Sequence, residues 1–510
     1  MRFALILCLL PLVLAASPYR QPAVWNMEQP LNRALFRHWV EQGVVPTETA
    51  SDAVFLRRVA LTLAGRLPTA REVRAFLADK RPGKRAAVIE TFLLSPEYAD
   101  MQAMRFADML RIKSEFPINL WPNAVQLWHR RIRDELAADR PLNGMFAEML
   151  TASGSNFRVP HANFFRASAD RSPSGLAAMT MLTCLGMRPE RFTAAEREGI
   201  AALFSRIRFK STHEWKEQIV YTDYNPARVE GLLPDGTKTV VSAPETDPRR
   251  VFADWLAGAG EPLFCRAMTN RVWHWVFGKG IYPVADDLPR GAAEGANAPF
   301  SPELQERLDA EFREHGYSLR HLYRVILNSA AFQVPSAAAD ESGKDFSSYP
   351  VRRLEAEVLV DALAGVFDRY DKYMSVIPEP FTFLPQRSRA VTIADGSISS
   401  GVLDNFGRPP RDSGTLGERN AASSESQNLY LMNSAALFNR INLYCRRVNR
   451  SFRRDSDRLD RIYLDLLSRY PTAHERQVFQ NYRKEKGVGG RIWADTVWGV
   501  VNGKEFLFHH

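Results

Sequence analysis

Cysteine is scarce: four occur in 510 residues, and one of them, Cys8, sits in an apolar run at the very start. The other three, Cys184, Cys265 and Cys445, are widely spaced, which excludes a disulfide framework and a zinc knuckle. The ten histidines include no His-x-x-x-His pair, so no zinc or copper site is expected. No Gly-x-Ser-x-Gly elbow, phosphate-binding loop or dinucleotide fingerprint occurs, so three large enzyme classes lose their usual signature. After residue 16 no apolar stretch reaches the length of a membrane span. Basic tracts are missing too. The net charge of +9 is spread along apolar stretches, which argues against nucleic acid and leaves acidic glycans or an envelope protein as candidate partners.

What is present points to export and to helices. Arg2, the apolar run Ala4–Leu14 and Ala15-Ala16-Ser17 form a secretory leader with cleavage after Ala15 or Ala16. A periplasmic or secreted location is therefore expected. The composition is that of a soluble globular chain, 45% hydrophobic and 25% charged, and the length calls for more than one core. The pattern predicts a mainly α fold: two helical domains, over 17–208 and 247–510, with a small β-containing insertion or linker at 209–246. Pro234-Asp235-Gly236 marks a turn inside that insertion. Helices are expected to open at Ser51-Asp52, at Asp247-Pro248 and at Ser301-Pro302. A continuous helical region is expected over Met101–Leu150 and an amphipathic helix over 350–370.

One arrangement occurs twice. Arg58-Val59, Arg66, Pro68, Thr69, Glu72 and Phe76 return as Arg461-Ile462, Arg469, Pro471, Thr472, Glu475 and Phe479, at a constant separation of 403 residues. In both copies Thr-x-x-Glu forms a capping box. Two copies this far apart are no solenoid; they indicate a helical unit used near both ends.

Several polar groups are candidates for a site. Asn270-Arg271 opens, and Asp286-Asp287 closes, an aromatic stretch, Val272-Trp273-His274-Trp275-Val276-Phe277, that breaks at Gly278-Lys279-Gly280. His274 is expected as a packed core residue, the two aspartates as caps, and Arg271 as the partner of one of them. Residues 385–428 are the longest poorly patterned segment and carry Arg408, Arg411, Asp412, Glu418 and Arg419, with Gln427 on the helix that follows. Those guanidinium forks suit carboxylate or sulfate groups of a glycan, and equally suit locking the loop onto helices.

At Phe55-Leu56-Arg57-Arg58-Val59, Arg66-Leu67-Pro68-Thr69, Asn270–Gly280, Pro283–Asp287 and Arg352–Glu357 the chain resembles a known pair of bacterial domains. These are the planctomycete cytochrome-associated domains of unknown function, common in Planctomycetes and Verrucomicrobia. Domain fifteen forty-nine is expected over roughly 28–208 and fifteen fifty-three over roughly 247–508. The resemblance implies no activity. Many relatives carry a Cys-x-x-Cys-His haem attachment where this chain has Thr183-Cys184-Leu185-Gly186-Met187, so no haem and no other cofactor is expected. A Cys-x-Cys-Glu-Arg segment of some relatives is reduced here to Glu418-Arg419. The expectation is an exported binding or assembly protein of the cell envelope, connected with extracellular polysaccharide use. The alternative is a glycan-active hydrolase or lyase with a residue such as Asp287 or Glu418 as acid or base. Periplasmic electron transfer ranks below both.

Overall fold

The helix Asp52–Ala64 lies at the centre. Ser51 caps it by accepting from the Val54 N–H, and Gly65 ends it in the left-handed conformation. Almost every residue on it is buried, which is the mark of a helix surrounded by others. Two of those residues are Arg57 and Arg58. Arg57 donates to the carbonyls of Leu466 and Phe506 at 2.8 and 2.9 Å. Arg58 donates to Phe332 and Val334, both at 2.8 Å, and to His510 at 2.5 Å. Burial lowers both guanidinium pKa values, to about 10 and about 9, which leaves them charged at neutral pH. The two arginines therefore tie the beginning of the chain to its end.

The computed structural model describes residues 17–224, 228–291, 297–336, 345–487 and 489–510. The expected leader at 1–16 lies outside the described residues. Among the described residues the fold is mainly α, with only short antiparallel sheets. Among the described residues no helix is long and apolar enough to cross a membrane.

Local chemistry explains most helix starts. Thr69 and Glu72, and Thr472 and Glu475, form reciprocal capping boxes as expected. Pro occupies the first turn of Pro248–Ala257 and Pro302–Glu314. The duplicated unit is alike in three dimensions. Arg66 pairs with Glu72 at 2.9 Å and Glu97 at 3.5 Å, and Arg469 pairs with Glu475 and Glu505, both at 2.7 Å. The preceding helices end on left-handed residues at matched positions, Gly65 and Ser468.

Strands Ile207–Ser211 and Gln218–Thr222 form a hairpin with Gly154–Ser155 on its far edge. Val229–Leu232 pairs with Lys238–Val241 around the Pro-Asp-Gly turn. Two hydrophobic cores result. The first draws on residues between 31 and 349, plus Ala394 and Leu464. The second combines residues 354–506 with Leu61, Leu67, Met101 and Met104.

Two expected helices differ. The Met101–Leu150 region is interrupted between Pro96–Met109 and Pro122–Ala137, where Arg111, Asn119 and Trp121 take positive φ. The 350–370 helix starts only at Ala356, because Arg352–Arg353 is a strand paired with Phe508–His509. That pairing sets two arginines beside the aromatic stretch.

Candidate functional site

The helix Glu261–Phe277 buries thirteen of its seventeen residues, so its face toward any ligand is small. It stops at Gly278, whose φ is 76°. A Cβ there would lie 2.6 Å from Arg352 Cδ, so both conformation and space require glycine. The helix leaves its last carbonyls open, and two arginines take them. Arg352 Nη2 donates to Trp275 and Val276, both at 3.1 Å, and Arg105 Nη1 donates to Trp275 at 3.3 Å. Cations at a helix C-terminus also gain from its dipole. Glu355 Oε1 sits between them, 3.2 Å from Arg105 and 3.6 Å from Arg352.

These groups form one side of a cavity of about 130 Å³. Arg105 and Asp108 come from Pro96–Met109, and Arg271, His274 and Trp275 from Glu261–Phe277. Arg352, Arg353 and Glu355 come from the strand and the start of the next helix; Phe406, Leu416 and Arg419 come from the long loop. Five guanidinium groups thus face two carboxylates across the walls. Arg353 donates through Nη2 to the carbonyls of Phe406 and Asn420, each at 2.8 Å. Its Nε and Nη1 are buried without a protein partner among the described residues.

Behind the cavity lies a buried ionic network. Glu357, fully buried, accepts from Arg419 at 2.5 and 3.2 Å and lies 3.4 Å from Arg408. Burial alone would raise its carboxyl pKa; the Arg419 guanidinium overrides this and holds it at about 2. Asp108 binds Arg411 at 2.8 Å and Arg419 at 2.6 Å. Burial likewise acts to raise Glu355, and Arg105, Arg419 and Arg352 together outweigh it, leaving the pKa lowered. Burial pushes His274 down to about 4, with Arg352 and Arg105 adding to the effect, so its imidazole is neutral at pH 7.

The structure brings the two expected clusters together. Asp286 Oδ2 accepts from the Leu416 N–H at 2.7 Å, joining the end of the aromatic stretch to the long loop. Arg271 and Arg419 line the cavity. Arg271 also donates to Thr183 and Leu182 at 3.1 and 3.2 Å and stands 3.8 Å from Asp286.

The remaining candidates sit elsewhere. Asn270 is fully buried and accepts from the Tyr282 N–H at 2.9 Å, fixing the turn after the helix. Asp287 pairs with Arg191 at 2.7 Å on the surface. Arg408 donates to the carbonyls of Ile398 and Asp395, and Arg411 donates to Ala394 at 2.7 Å, so both fasten the loop. Asp412 pairs with Lys113 at 2.7 Å, and Glu418 accepts from the Asp412 and Ser413 N–H groups. Gln427 completes a capping box with Ser424.

Sequence reasoning missed Arg105, Asp108, Arg352, Arg353, Glu355 and Phe406. Trp275, which is buried in the first hydrophobic core as expected, and His274 also line the cavity. No local pattern marked Arg352–Arg353 as a strand: it is two residues long, and Glu357 already lies on the helix that starts at Ala356.

Residues 30–188 match the family PSCyt2, protein of unknown function (DUF1549). Residues 248–483 match PSD1, protein of unknown function (DUF1553). No curated protein and no solved structure matches the chain. Arg105, Asp108 and Met109 lie in the first matched segment and the rest of the cavity wall in the second.

Proposed function

Since the chain belongs to the PSCyt2 and PSD1 families, in that order from its N-terminus, we propose that it is an exported binding protein whose cavity, at the meeting of the two segments, holds an acidic group of a glycan. One observation carries this reading: five arginines and two carboxylates around a small cavity, with two donor nitrogens of Arg353 left over. A buried donor without a partner costs about 1–3 kcal/mol, which a carboxylate or sulfate oxygen recovers. Behind the wall Glu357 pairs with Arg419 and Arg408, Asp286 with Arg271, and Asp108 with Arg411 and Arg419, so seven arginines of wall and network stand against four carboxylates and an excess of positive charge persists. Planar guanidinium groups favour oxyanions of this shape.

A separate surface feature is also suited to contact with a sugar. Trp121, Trp215 and Phe381, from three distant segments, meet with ring centroids 4.7–5.5 Å apart, and Trp215 and Phe381 are exposed. Lys216 lies 5.1 Å from the Trp121 ring and 5.8 Å from the Trp215 ring. An exposed aromatic patch of this kind is a contact surface in its own right.

The acid–base alternative has less support. Asp287 is tied to Arg191 outside the cavity, and Glu418 accepts backbone N–H groups. Within the walls, Asp108 and Glu355 are both ion-paired. Cys184 is fully buried, with burial pushing its pKa up to about 12, which favours a packing role for it over haem attachment.

The test is calorimetric titration with sulfated, uronic and neutral oligosaccharides of equal length at two salt concentrations. The proposal expects binding of the acidic oligosaccharides alone, weakening as salt rises. Equal binding of the neutral oligosaccharide, or no binding of any, overturns it.

A further inference from the structure

We propose that Glu311, His315 and His321 form a surface site for a divalent first-row transition ion such as Zn²⁺. The three residues each present one ligating atom, all within 4.8 Å of one another. His321 Nε2 lies 2.9 Å from Glu311 Oε2 and His315 Nδ1 lies 3.6 Å from the same oxygen. Donor atoms around a four-coordinate ion with bonds of about 2.0–2.2 Å are spaced on this scale. Two imidazoles and one carboxylate are the donor set such ions prefer.

The arrangement is built rather than accidental. Glu311 and His315 are one turn apart at the end of Pro302–Glu314, and His321 opens Leu319–Asn328. The turn between them passes through Gly316 and Tyr317 at φ 67° and 57°. It is anchored at both ends. The Leu142 N–H donates to the Tyr317 carbonyl at 3.1 Å, and Ser318 Oγ donates to Asp139 at 2.6 Å. Arg307 holds the other oxygen of Glu311, which orients the carboxylate as outer-shell partners do.

The two imidazole rings stack with centroids 3.6 Å apart and planes 12° apart, and they share the one carboxylate. His315 is half exposed, which leaves remaining coordination positions to water.

A second grouping, Glu135, Glu148 and His161, is a weaker candidate. Arg131 and Arg140 already pair with its carboxylates, and His161 is buried. A search for His pairs one helical turn apart overlooks the first cluster because its second histidine lies across the turn.

The experiment titrates Zn²⁺ alone into the chelator-treated full chain and into His315→Ala, His321→Ala and His161→Ala, with circular dichroism confirming that each is folded. One ion per chain is expected in the parent and in His161→Ala, with affinity more than about 100-fold weaker in either of the other two, since even outer-shell losses cost 10–100-fold. His315 is at the surface, so its variant remains informative even where His321→Ala fails to fold. Binding unchanged in His315→Ala, binding lost only in His161→Ala, or no ion bound by the parent overturns the proposal.

Discussion

Replacing Glu357 with Gln removes one charge from the centre of the network while nearly preserving shape. Arg419 and Arg408 then lose a carboxylate at 2.5 and 3.4 Å in a fully buried place. Breaking a buried pair from one side typically costs about 3–5 kcal/mol. The depressed pKa of Glu357, which arises from the same contacts, gives a figure of similar size. The Glu357 pKa falls from 4.5 to about 2 on folding. At about 1.36 kcal/mol per unit, that shift corresponds to roughly 3 kcal/mol. The folded-state value is depressed, so this stabilisation is complete above about pH 4.5 and disappears as pH falls toward 2. Urea unfolding followed by circular dichroism, at pH 7 and at steps down to pH 2.5, measures both. Glu357→Gln should be less stable by about 3–5 kcal/mol at pH 7, with a shallower loss between pH 4.5 and 2.5. Equal stability of variant and parent at pH 7, with parallel acid profiles, would refute the assignment of Glu357 as the counter-charge that fastens the loop.

Other outcomes follow from the same geometry. Gly278→Ala forces a side chain into a left-handed position against Arg352; a loss of about 1–3 kcal/mol is expected by urea unfolding. Thr69→Ala and Thr472→Ala each remove an oxygen that accepts a first-turn N–H at 3.2 Å. Each should cost about 1 kcal/mol, and the double variant should show the two effects adding. The purified protein should show no Soret band, because Cys184 has neither a second cysteine nor a histidine beside it.

Features set by local chemistry were legible in the sequence. The capping boxes, the first-turn prolines and the Pro-Asp-Gly hairpin each depend on residues within a few positions of one another. The duplicated unit was legible too, since its Arg, Thr and Glu make the same contacts in both copies. Arg352–Arg353 was not legible, because its strand exists only through a partner at the far end of the chain. The segment 385–428 has no apolar period to read. It is held by long-range polar contacts: Asp361 accepts from the Ala390 and Val391 N–H groups at 2.6 and 3.2 Å, and Arg411 reaches Asp108. The candidate site was half legible. Its loop and its aromatic helix stood out by composition, but the arginines that complete the wall looked like ordinary helix surface.

The most direct test of the anion-binding cavity is the crystal structure of the protein with a sulfated disaccharide, supported by titration of Arg353→Met and of Arg191→Met, whose arginine pairs with Asp287 on the surface. The account predicts the sulfate within hydrogen-bond distance of Arg353 Nη1, with binding weakened at least about tenfold in Arg353→Met, as loss of one charge-assisted bond requires, and unchanged in Arg191→Met. A disaccharide bound elsewhere, or equal affinity in both variants, contradicts it.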